Sequence, residues 1–427
     1  MFANVVEPAD SDPTRKGGLV NKPESRSTGG RSFQVHPFPA RMASELALEA
    51  IDRHGEDVVV LDPMCGSGTV LREASRRGQT AIGFDLDPLA ILMSKVACTT
   101  ISSRGLERAA NSLVEEARKS RTHKVPWIDS DIETVEFVNF WFGEEQQQQL
   151  RKLAVLLWPR NGDVANALRV ALSRTIITKS RGASLARDVS HSRPHRVAMY
   201  NDYDVYEGFL RATKHISTLV EHERSTKPKV KLGDARRLPV SLEGKIDLVV
   251  TSPPYLNAID YMRGHRLSLV WLGHQLSALR KIRSSSIGVE RGLDAQNSLA
   301  RELTPTHRLL SKRQQAMLDR YAVDASLLMQ ELHRVLKPCG EAVVVVGDST
   351  INGVFVRNSE IMAKSAELAG FTLVEHRTRL LPPSSRYMPP PSEVSGAMSM
   401  RMRSEVVLQF RPSSRRRVVT GPKERDG

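Results

Sequence analysis

The chain has 427 residues, 40% hydrophobic and 26% charged, so it can bury a core and is not a disordered polyelectrolyte. Lysine and arginine number 62 against 48 acidic residues, and the net charge of +14 mildly favours a polyanionic partner. Three cysteines without a CxxC pair exclude a disulfide scaffold and a cysteine-rich zinc module. No apolar run reaches the roughly 20 residues of a membrane span, and the N-terminus lacks a signal peptide, so we expect a cytoplasmic protein without a membrane partner.

The first part of the chain predicts one strand–helix–strand unit. Residues 1–31 are rich in proline, glycine, serine and charge, which is typical of a flexible lead. The apolar spacing predicts a helix over Ala43–Arg53. A short apolar strand at Asp57–Leu61, a glycine turn, a helix over Val70–Arg77 and a second strand at Thr80–Phe84 then follow, with the two strands parallel.

The middle of the chain interrupts this alternation. Residues 101–228 carry long helical patterns and end in a polar, basic loop, Arg187–Arg196. We interpret them as a mainly helical insertion and a candidate target-recognition region.

Strand patterns resume after the insertion. Residues 32–100 and 229–410 are predicted to form one α/β catalytic domain, followed by a basic tail at 411–427. A polar stretch at about 274–316 is expected to be a mobile excursion. The predicted later elements are strands at Lys229–Leu232, Ile246–Thr251 and Glu341–Val346, a helix over Leu318–Leu336, and a closing antiparallel pair at Phe371–Glu375 and Glu405–Phe410.

A glycine turn follows the first strand. Glycines allow a sharp turn and a close approach of the backbone to a ligand, and the N–H groups of the next helix attract negative charge. Asp85 ends the second strand, where doubly wound folds bind ribose hydroxyls, and Asp234 ends the third strand and could receive an adenine amino group. The third glycine of the G-x-G-x-x-G pattern is missing, which argues against a dinucleotide-binding site. The sequence also lacks the phosphate-loop pattern of NTPases and the nucleophile-elbow pattern of hydrolases here. The pattern favours a nucleoside cofactor over an ordinary turn, with candidate residues Asp62, Cys65, Gly66, Ser67, Gly68 and Thr69.

A proline turn follows the strand Ile246–Thr251. Two prolines stop the strand and stiffen the turn, because each fixes φ and lacks an N–H. A hydroxyl, a rigid carbonyl and an aromatic face suit a planar base with an exocyclic amino group. The candidate catalytic residues are therefore Ser252, Pro253, Pro254 and Tyr255, although a plain strand-ending turn remains an alternative for this motif alone.

Together these motifs resemble the amino-directed DNA methyltransferases, which use S-adenosylmethionine. Asp62–Thr69 is similar to the cofactor loop of that family, where phenylalanine is usual in place of Met64. Val250–Tyr255 is similar to its catalytic motif, in the serine form that is typical of N4-cytosine enzymes; adenine enzymes more often carry aspartate or asparagine. The other similar segments are His36–Arg41, an extra cofactor motif that includes Phe38, Gly233–Ala235, and Lys337–Gly340, the turn before the fifth strand.

The resemblance implies a Rossmann-like class I methyltransferase sheet, mostly parallel with an antiparallel strand near the end. It implies site-specific transfer of a methyl group from S-adenosylmethionine to the N4 amino group of cytosine in double-stranded DNA, with base flipping. A restriction system with a separately acting endonuclease is compatible with this function. N6-adenine or RNA methylation, a non-catalytic DNA-binding regulator and a small-molecule methyltransferase stay open as alternatives.

Contacts to nucleic acid are expected from two basic segments. Arg187, His191 and Arg193 lie in the polar loop, where a solvated surface explains the composition equally well. Arg263 and Arg266 follow the proline turn and are expected to line the channel of the base or the backbone. The two histidines of the loop are separated by Pro194, which argues against a metal site.

Overall fold

The computed structural model describes residues 33–37, 42–121, 124–178, 181–186, 196–220, 226–256, 260–288, 298–380 and 404–413. All of these except Phe33 belong to one unit, residues 34–427. The predicted N-terminal lead and the tail beyond residue 413 lie outside the described residues.

A seven-stranded sheet forms the centre of the described chain, in the order β3-β2-β1-β4-β5-β9-β8. Strands β1 to β5 run parallel, and β9 is antiparallel to both of its neighbours. The predicted α/β, Rossmann-like sheet, mostly parallel with an antiparallel strand near the end, is confirmed. The strands are β1 (Val59–Asp62), β2 (Thr80–Asp85), β3 (Lys229–Leu232), β4 (Ile246–Thr251), β5 (Leu336–Val346), β6 (Ser349–Ile351), β7 (Val354–Val356), β8 (Phe371–Leu380) and β9 (Ser404–Pro412).

Helices cover both faces of this sheet. Along β4, Leu248 and Val250 pack on the layer that contains α1 and α2, whereas Val249 faces the layer of α13 and α14. Burial on both faces explains why the central strands are continuous apolar runs. The helices are α1 (Ser44–Asp52), α2 (Thr69–Arg76), α3 (Pro88–Ala97), α4 (Ser103–Lys119), α5 (Pro126–Asp129), α6 (Ile132–Trp141), α7 (Glu144–Leu157), α8 (Asp163–Ile176), α9 (Val205–Val220), α10 (Met262–Leu269), α11 (Leu276–Ser285), α12 (Ser298–Glu302), α13 (Lys312–Val335) and α14 (Asn358–Ala369).

The described part of the segment between β2 and β3 is mainly helical, from α3 to α9, with isolated β-bridges at Phe142↔Ser184 and Ala186↔Arg196. Its buried side chains repeat at helical spacing; in α4 they are Leu106, Ala110, Leu113 and Ala117. No helix in the described parts of the chain combines the length and the apolar character that crossing a bilayer requires.

Three local predictions differ from the structure. Lys337–Gly340 is not a turn before the fifth strand but a bulge within β5, because the pairing jumps from Ile246↔Leu336 to Leu248↔Glu341. The polar stretch at about 274–316 contains the helices α11 and α12, which were not predicted, and its expected mobility stays a prediction. The hairpin β6–β7 was not predicted, although Asn352-Gly353, both with positive φ, is a strong hairpin signal.

Candidate active site

The glycine turn between β1 and α2 is held in place by its own backbone. The N–H of Cys65 donates to the carbonyl of Phe84 at the end of β2 (2.9 Å), and the N–H of Gly68 donates to the carbonyl of Cys65 (2.7 Å). Gly68 has φ of +82°, and a Cβ there would lie 2.8 Å from Cα of Ser94 in α3. This position therefore requires glycine for both its conformation and its packing.

Other residues of the turn are accessible to a ligand. Gly66, Ser67 and Thr69 are each partly exposed, and Thr69 begins α2 directly after the left-handed Gly68. The turn thus presents the backbone at the start of α2 toward the carboxyl edge of the sheet, where helix N–H groups attract negative charge.

Asp85 ends β2 beside this turn. Its two carboxylate oxygens accept the N–H groups of Gly66 and Asp87, each at 2.9 Å. Burial, and then the nearby charge of Asp87, raises the pKa of Asp85 to about 6. The two hydrogen bonds fix the orientation of this carboxylate. Because a carboxylate has about four acceptor sites, Asp85 retains acceptor capacity for the hydroxyls of a ligand.

Asp62 connects the glycine turn to the proline turn. Its Oδ1 accepts the hydroxyl of Thr251 at the end of β4 (2.9 Å) and the N–H of Met64 (3.2 Å). Burial raises the pKa of Asp62 to about 7, although these hydrogen bonds act in the opposite direction. Because β1 and β4 are parallel neighbours, both turns leave the sheet side by side at its carboxyl edge.

The proline turn presents unengaged polar groups. Ser252 is exposed, Pro253 is buried, and Pro254 and Tyr255 are partly buried. Within the described chain neither the hydroxyl of Ser252 nor the carbonyl of Pro253 takes part in a hydrogen bond. Burial raises the pKa of Tyr255, so its ring stays neutral at physiological pH. In the described part of the chain, a hydroxyl and a carbonyl are therefore free to accept hydrogens at this edge.

Asp234, at the end of β3, has a partner that the sequence analysis missed. Arg236 donates to it from its backbone N–H (2.9 Å), from Nε (3.0 Å) and from a terminal nitrogen (2.7 Å), and also contacts Asp324. Burial acts to raise the pKa of Asp234, but the hydrogen bonds of Arg236 lower it. Asp234 is thus an ionised carboxylate whose acceptor sites are partly occupied. An arginine two residues after the acid was the available signal.

Helix α10, which follows the proline turn, is attached to the end of β2 by a buried histidine. Nδ1 of His265 hydrogen-bonds to the carboxylate of Asp87, which also caps α3 through the N–H of Leu89 (2.8 Å). Burial acts to raise the pKa of Asp87, but the charge and hydrogen bond of His265 lower it. No sequence signal could pair these residues, because 178 positions separate them.

His36, from the N-terminal segment that resembles a cofactor motif, lies at the same junction. Its ring meets that of His265 edge-on, with 6.4 Å between centroids. Burial, and then the charge of His265, lowers the pKa of His36 to about 3. The neutral ring donates from Nδ1 to the carbonyl of Pro37 and accepts the hydroxyl of Ser173 at Nε2 (2.8 Å), which joins this motif to α8 of the insertion.

The described arginines after the proline turn differ in their partners. Nε of Arg263 donates to Asp260 (3.0 Å). Arg266 lies over the ring of Phe137 in α6, 5.2 Å from its centroid, and makes no ion pair with any residue that the structure describes. Burial, and then the charge of Arg283, lowers the pKa of Arg266. The charge of Asp260 acts in the opposite direction, but Asp260 is already paired with Arg263 and Arg283. The half-buried Arg266 is therefore a suitable site for an anion.

Four predicted site residues cannot be placed: Phe38, Arg187, His191 and Arg193 lie outside the described residues.

The three cysteines do not supply a nucleophile to this edge. Cys65 and Cys98 are buried, and burial raises the pKa of the Cys65 thiol well above its usual range. Cys339 is exposed but lies near the start of β5, at the opposite edge of the sheet from the two turns. A thiolate mechanism at the proline turn therefore has no candidate.

Comparison with known proteins relates the chain to methyltransferases. Type II methyltransferase M.MvaI of Kocuria varians is 26% identical over 417 residues, which cover 89% of this chain and 91% of the relative. The chain is similar to type II methyltransferases. M.BsoBI of Geobacillus stearothermophilus is 21% identical over 401 residues, covering 77% and 76% of the two chains. No family model matches.

Among solved structures, a TehB-like SAM-dependent methyltransferase from Corynebacterium glutamicum aligns with 86% of this chain and 87% of its own length, at 12% identity and a TM-score of 0.29.

Proposed function

We propose that the protein is a site-specific DNA methyltransferase that transfers a methyl group from S-adenosylmethionine to the N4 amino group of cytosine. The observation that carries the proposal is the hydrogen bond from Thr251 to Asp62, since it joins the proline turn to the glycine turn at one edge of the sheet. The similarity to type II methyltransferases over most of the chain supports the same reaction class.

The cofactor is S-adenosylmethionine, and the glycine turn fits it. Gly68 keeps the loop against α3, so the start of α2 remains open to a ligand. Asp85 has the free acceptor sites that two ribose hydroxyls need, and Asp234 is an ionised acceptor for the adenine amino group. When bound, this cofactor would supply a methyl group activated by a sulfonium and would leave as S-adenosylhomocysteine, and the methylated nitrogen would then release one proton to solvent. Phe38 is assigned to the same site by resemblance alone.

The proline turn is proposed to hold the target base. The amino nitrogen of cytosine is a poor nucleophile, because its lone pair is delocalised into the ring. Hydrogen bonds from its two N–H groups to the hydroxyl of Ser252 and the carbonyl of Pro253 localise that pair, and they strengthen as positive charge develops on the nitrogen. Pro254 keeps the turn rigid, and the ring of Tyr255 stacks on the base, which contributes about 1–3 kcal/mol.

Double-stranded DNA is the proposed substrate, with the target base flipped out at a cost of a few kcal/mol. Arg266, which is half-buried and forms no ion pair with the residues that the structure describes, is assigned to a backbone phosphate, and Arg263 to the rim of the same surface. Aromatic side chains of α6 lie beside this surface. The guanidinium of Arg266 lies over the ring of Phe137, and that of Arg196 lies over the ring of the half-exposed Phe140. The insertion therefore takes part in target recognition, and Arg187, His191 and Arg193 belong to the same proposal.

Two further parts of the proposal rest on resemblance. Serine at position 252 favours cytosine over adenine. A role in a restriction system, with a cognate endonuclease acting separately, is compatible with the type II relatives.

The test is to express the protein in a host that lacks DNA methylation and to sequence its genome with modification-sensitive reads. The proposal predicts N4-methylcytosine at one position of a defined recognition sequence, and none in cells that carry the Ser252→Ala variant. N6-methyladenine at that sequence would show that the target base is adenine and not cytosine. An unmodified genome, with the folded protein present, would contradict methyltransferase activity on DNA.

A further inference from the structure

The downstream end of the proline turn is fixed by a residue from another strand. Leu256 directly follows Tyr255 and is fully buried, and its carbonyl accepts the hydroxyl of Ser349 at 2.5 Å. Ser349 begins β6, just after β5, the parallel neighbour of β4. Both groups therefore lie at the carboxyl edge of the sheet, although 93 positions separate them in the chain.

The direction of the Ser349 hydroxyl is set by a buried amide. Nδ2 of Asn358 donates to Oγ of Ser349 (2.7 Å) and to the carbonyl of Gly347 (2.9 Å). Asn358 is fully buried and opens α14. Because this amide occupies an acceptor site of the hydroxyl, the single hydrogen of Ser349 is left to donate to Leu256.

The segment that carries Ser349 is itself anchored. Oδ1 of Asp348 accepts both the N–H of Ser359 (3.0 Å) and its hydroxyl (2.9 Å), which ties the segment after β5 to the first turn of α14. Ser349 is therefore a donor with a fixed position, backed by a helix and a sheet.

We propose that Ser349, oriented by Asn358, is a positioning residue that sets the geometry of the base-holding turn. Thr251 fixes the upstream end of the turn to Asp62, and Leu256 fixes the downstream end to Ser349. Between these two points, Ser252 and Pro253 make no hydrogen bond among the described residues, so their orientation depends on the two ends. This inference rests on the proposed function of the turn.

The experiment compares three single variants with the natural protein: Ser349→Ala, Ser349→Thr and Ser359→Ala. Methyl transfer is measured with tritiated S-adenosylmethionine and genomic DNA from a methylation-free host. Affinity for S-adenosylhomocysteine is measured by calorimetry, and Tm by thermal unfolding. Ser359→Ala is the matched control, because it removes a buried hydroxyl of α14 that does not contact the turn, while the N–H of Ser359 still holds Asp348.

We expect Ser349→Ala to lower kcat by about 10- to 100-fold, since a displacement of the order of 1 Å is enough for such a loss. Its affinity for S-adenosylhomocysteine should not change, because Ser349 contacts the turn and not the cofactor loop. Ser349→Thr keeps the hydroxyl and should retain most of kcat. Ser359→Ala should lower Tm as much as Ser349→Ala does, with kcat unchanged.

Two outcomes would overturn the inference while the proposed function stands. One is an unchanged kcat in Ser349→Ala, and the other is an equal loss of kcat in Ser349→Ala and Ser359→Ala, which would indicate general destabilisation. If the natural protein transfers no methyl group to DNA at all, the proposed function fails, and this inference fails with it.

Discussion

The two sides of the candidate pocket are built in different ways. On the cofactor side, the ends of β1 and β2 carry three carboxylates, Asp62, Asp85 and Asp87, and each already accepts hydrogen bonds from the protein. On the substrate side, Ser252 and Pro253 make no hydrogen bond among the described residues. The proposed cofactor side is thus preorganised by internal contacts, whereas the two groups on the proposed substrate side have no partner in the described part of the chain. Substitutions should therefore change stability and affinity on the first side, and rate on the second.

The largest effect is expected from the proline turn. Ser252→Ala should lower methyl transfer by about 100- to 1000-fold or more, because it removes a contact that strengthens in the transition state. Tyr255→Ala should lower it by about 5- to 150-fold, because it removes the stacking contact with the base. Binding of S-adenosylhomocysteine should stay near that of the natural protein in both variants. Tm should stay unchanged in Ser252→Ala, since Ser252 is exposed, and should fall in Tyr255→Ala, since Tyr255 packs against the core. Tritium transfer and calorimetry test this pair of outcomes. Full activity in either variant would remove that residue from the mechanism.

A substitution in the glycine turn should show the opposite pattern. Gly68→Ala places a Cβ 2.8 Å from Cα of Ser94 at a φ of +82°. It should lower the free energy of unfolding by about 2 kcal/mol or more and weaken cofactor binding. Gly55→Ala is the control, because a Cβ there meets nothing within 4 Å. Equal unfolding midpoints for the two variants in urea would contradict the packing argument.

The raised pKa of Asp85 predicts opposite pH trends for binding and for stability. Ribose hydroxyls need the ionised carboxylate, so cofactor affinity should fall as pH drops through about 6. The pKa in the folded chain lies above the ordinary value of 3.8, so the folded state binds this proton more tightly than the unfolded state. The contribution of Asp85 to stability should therefore increase as pH falls from about 7 to about 4.

Calorimetry with S-adenosylhomocysteine and thermal unfolding of the ligand-free protein, both from about pH 5 to pH 8, measure the two trends. Asp85→Asn should flatten the pH dependence of binding. In Asp85→Asn, stability should still increase as pH falls, because burial raises the pKa of Asp62 to about 7. Cofactor affinity that rises toward acidic pH would exclude Asp85 as the acceptor.

The smallest effect is expected from the arginine surface. Arg266→Ala should weaken DNA binding about uniformly across sequences and reduce the salt slope of log K by about one. Arg160→Ala is the comparison variant and should leave the salt slope unchanged, because Arg160 is already paired with Glu116 on the insertion. Fluorescence anisotropy at several salt concentrations measures both variants. An unchanged slope in Arg266→Ala would place DNA elsewhere.

Sequence reasoning was most effective where one short segment holds both the structure and the chemistry. The strands along the chain and the two turns could be predicted from apolar runs that end in glycine or proline. Asp85 could be predicted from its position at the end of β2. The contacts that complete the site join distant segments, as in His265 with Asp87 and Ser349 with Leu256. Only the folded sheet brings these residues together, and no local pattern encodes their pairing.

The identity of the methylated base tests the central claim most directly. Purified protein is incubated with tritiated S-adenosylmethionine and DNA from a methylation-free host, and the DNA is digested to nucleosides for mass spectrometry. Our account predicts label in N4-methyl-2′-deoxycytidine, and none after the Ser252→Ala substitution. Label in another nucleoside, or no label in DNA, would contradict it.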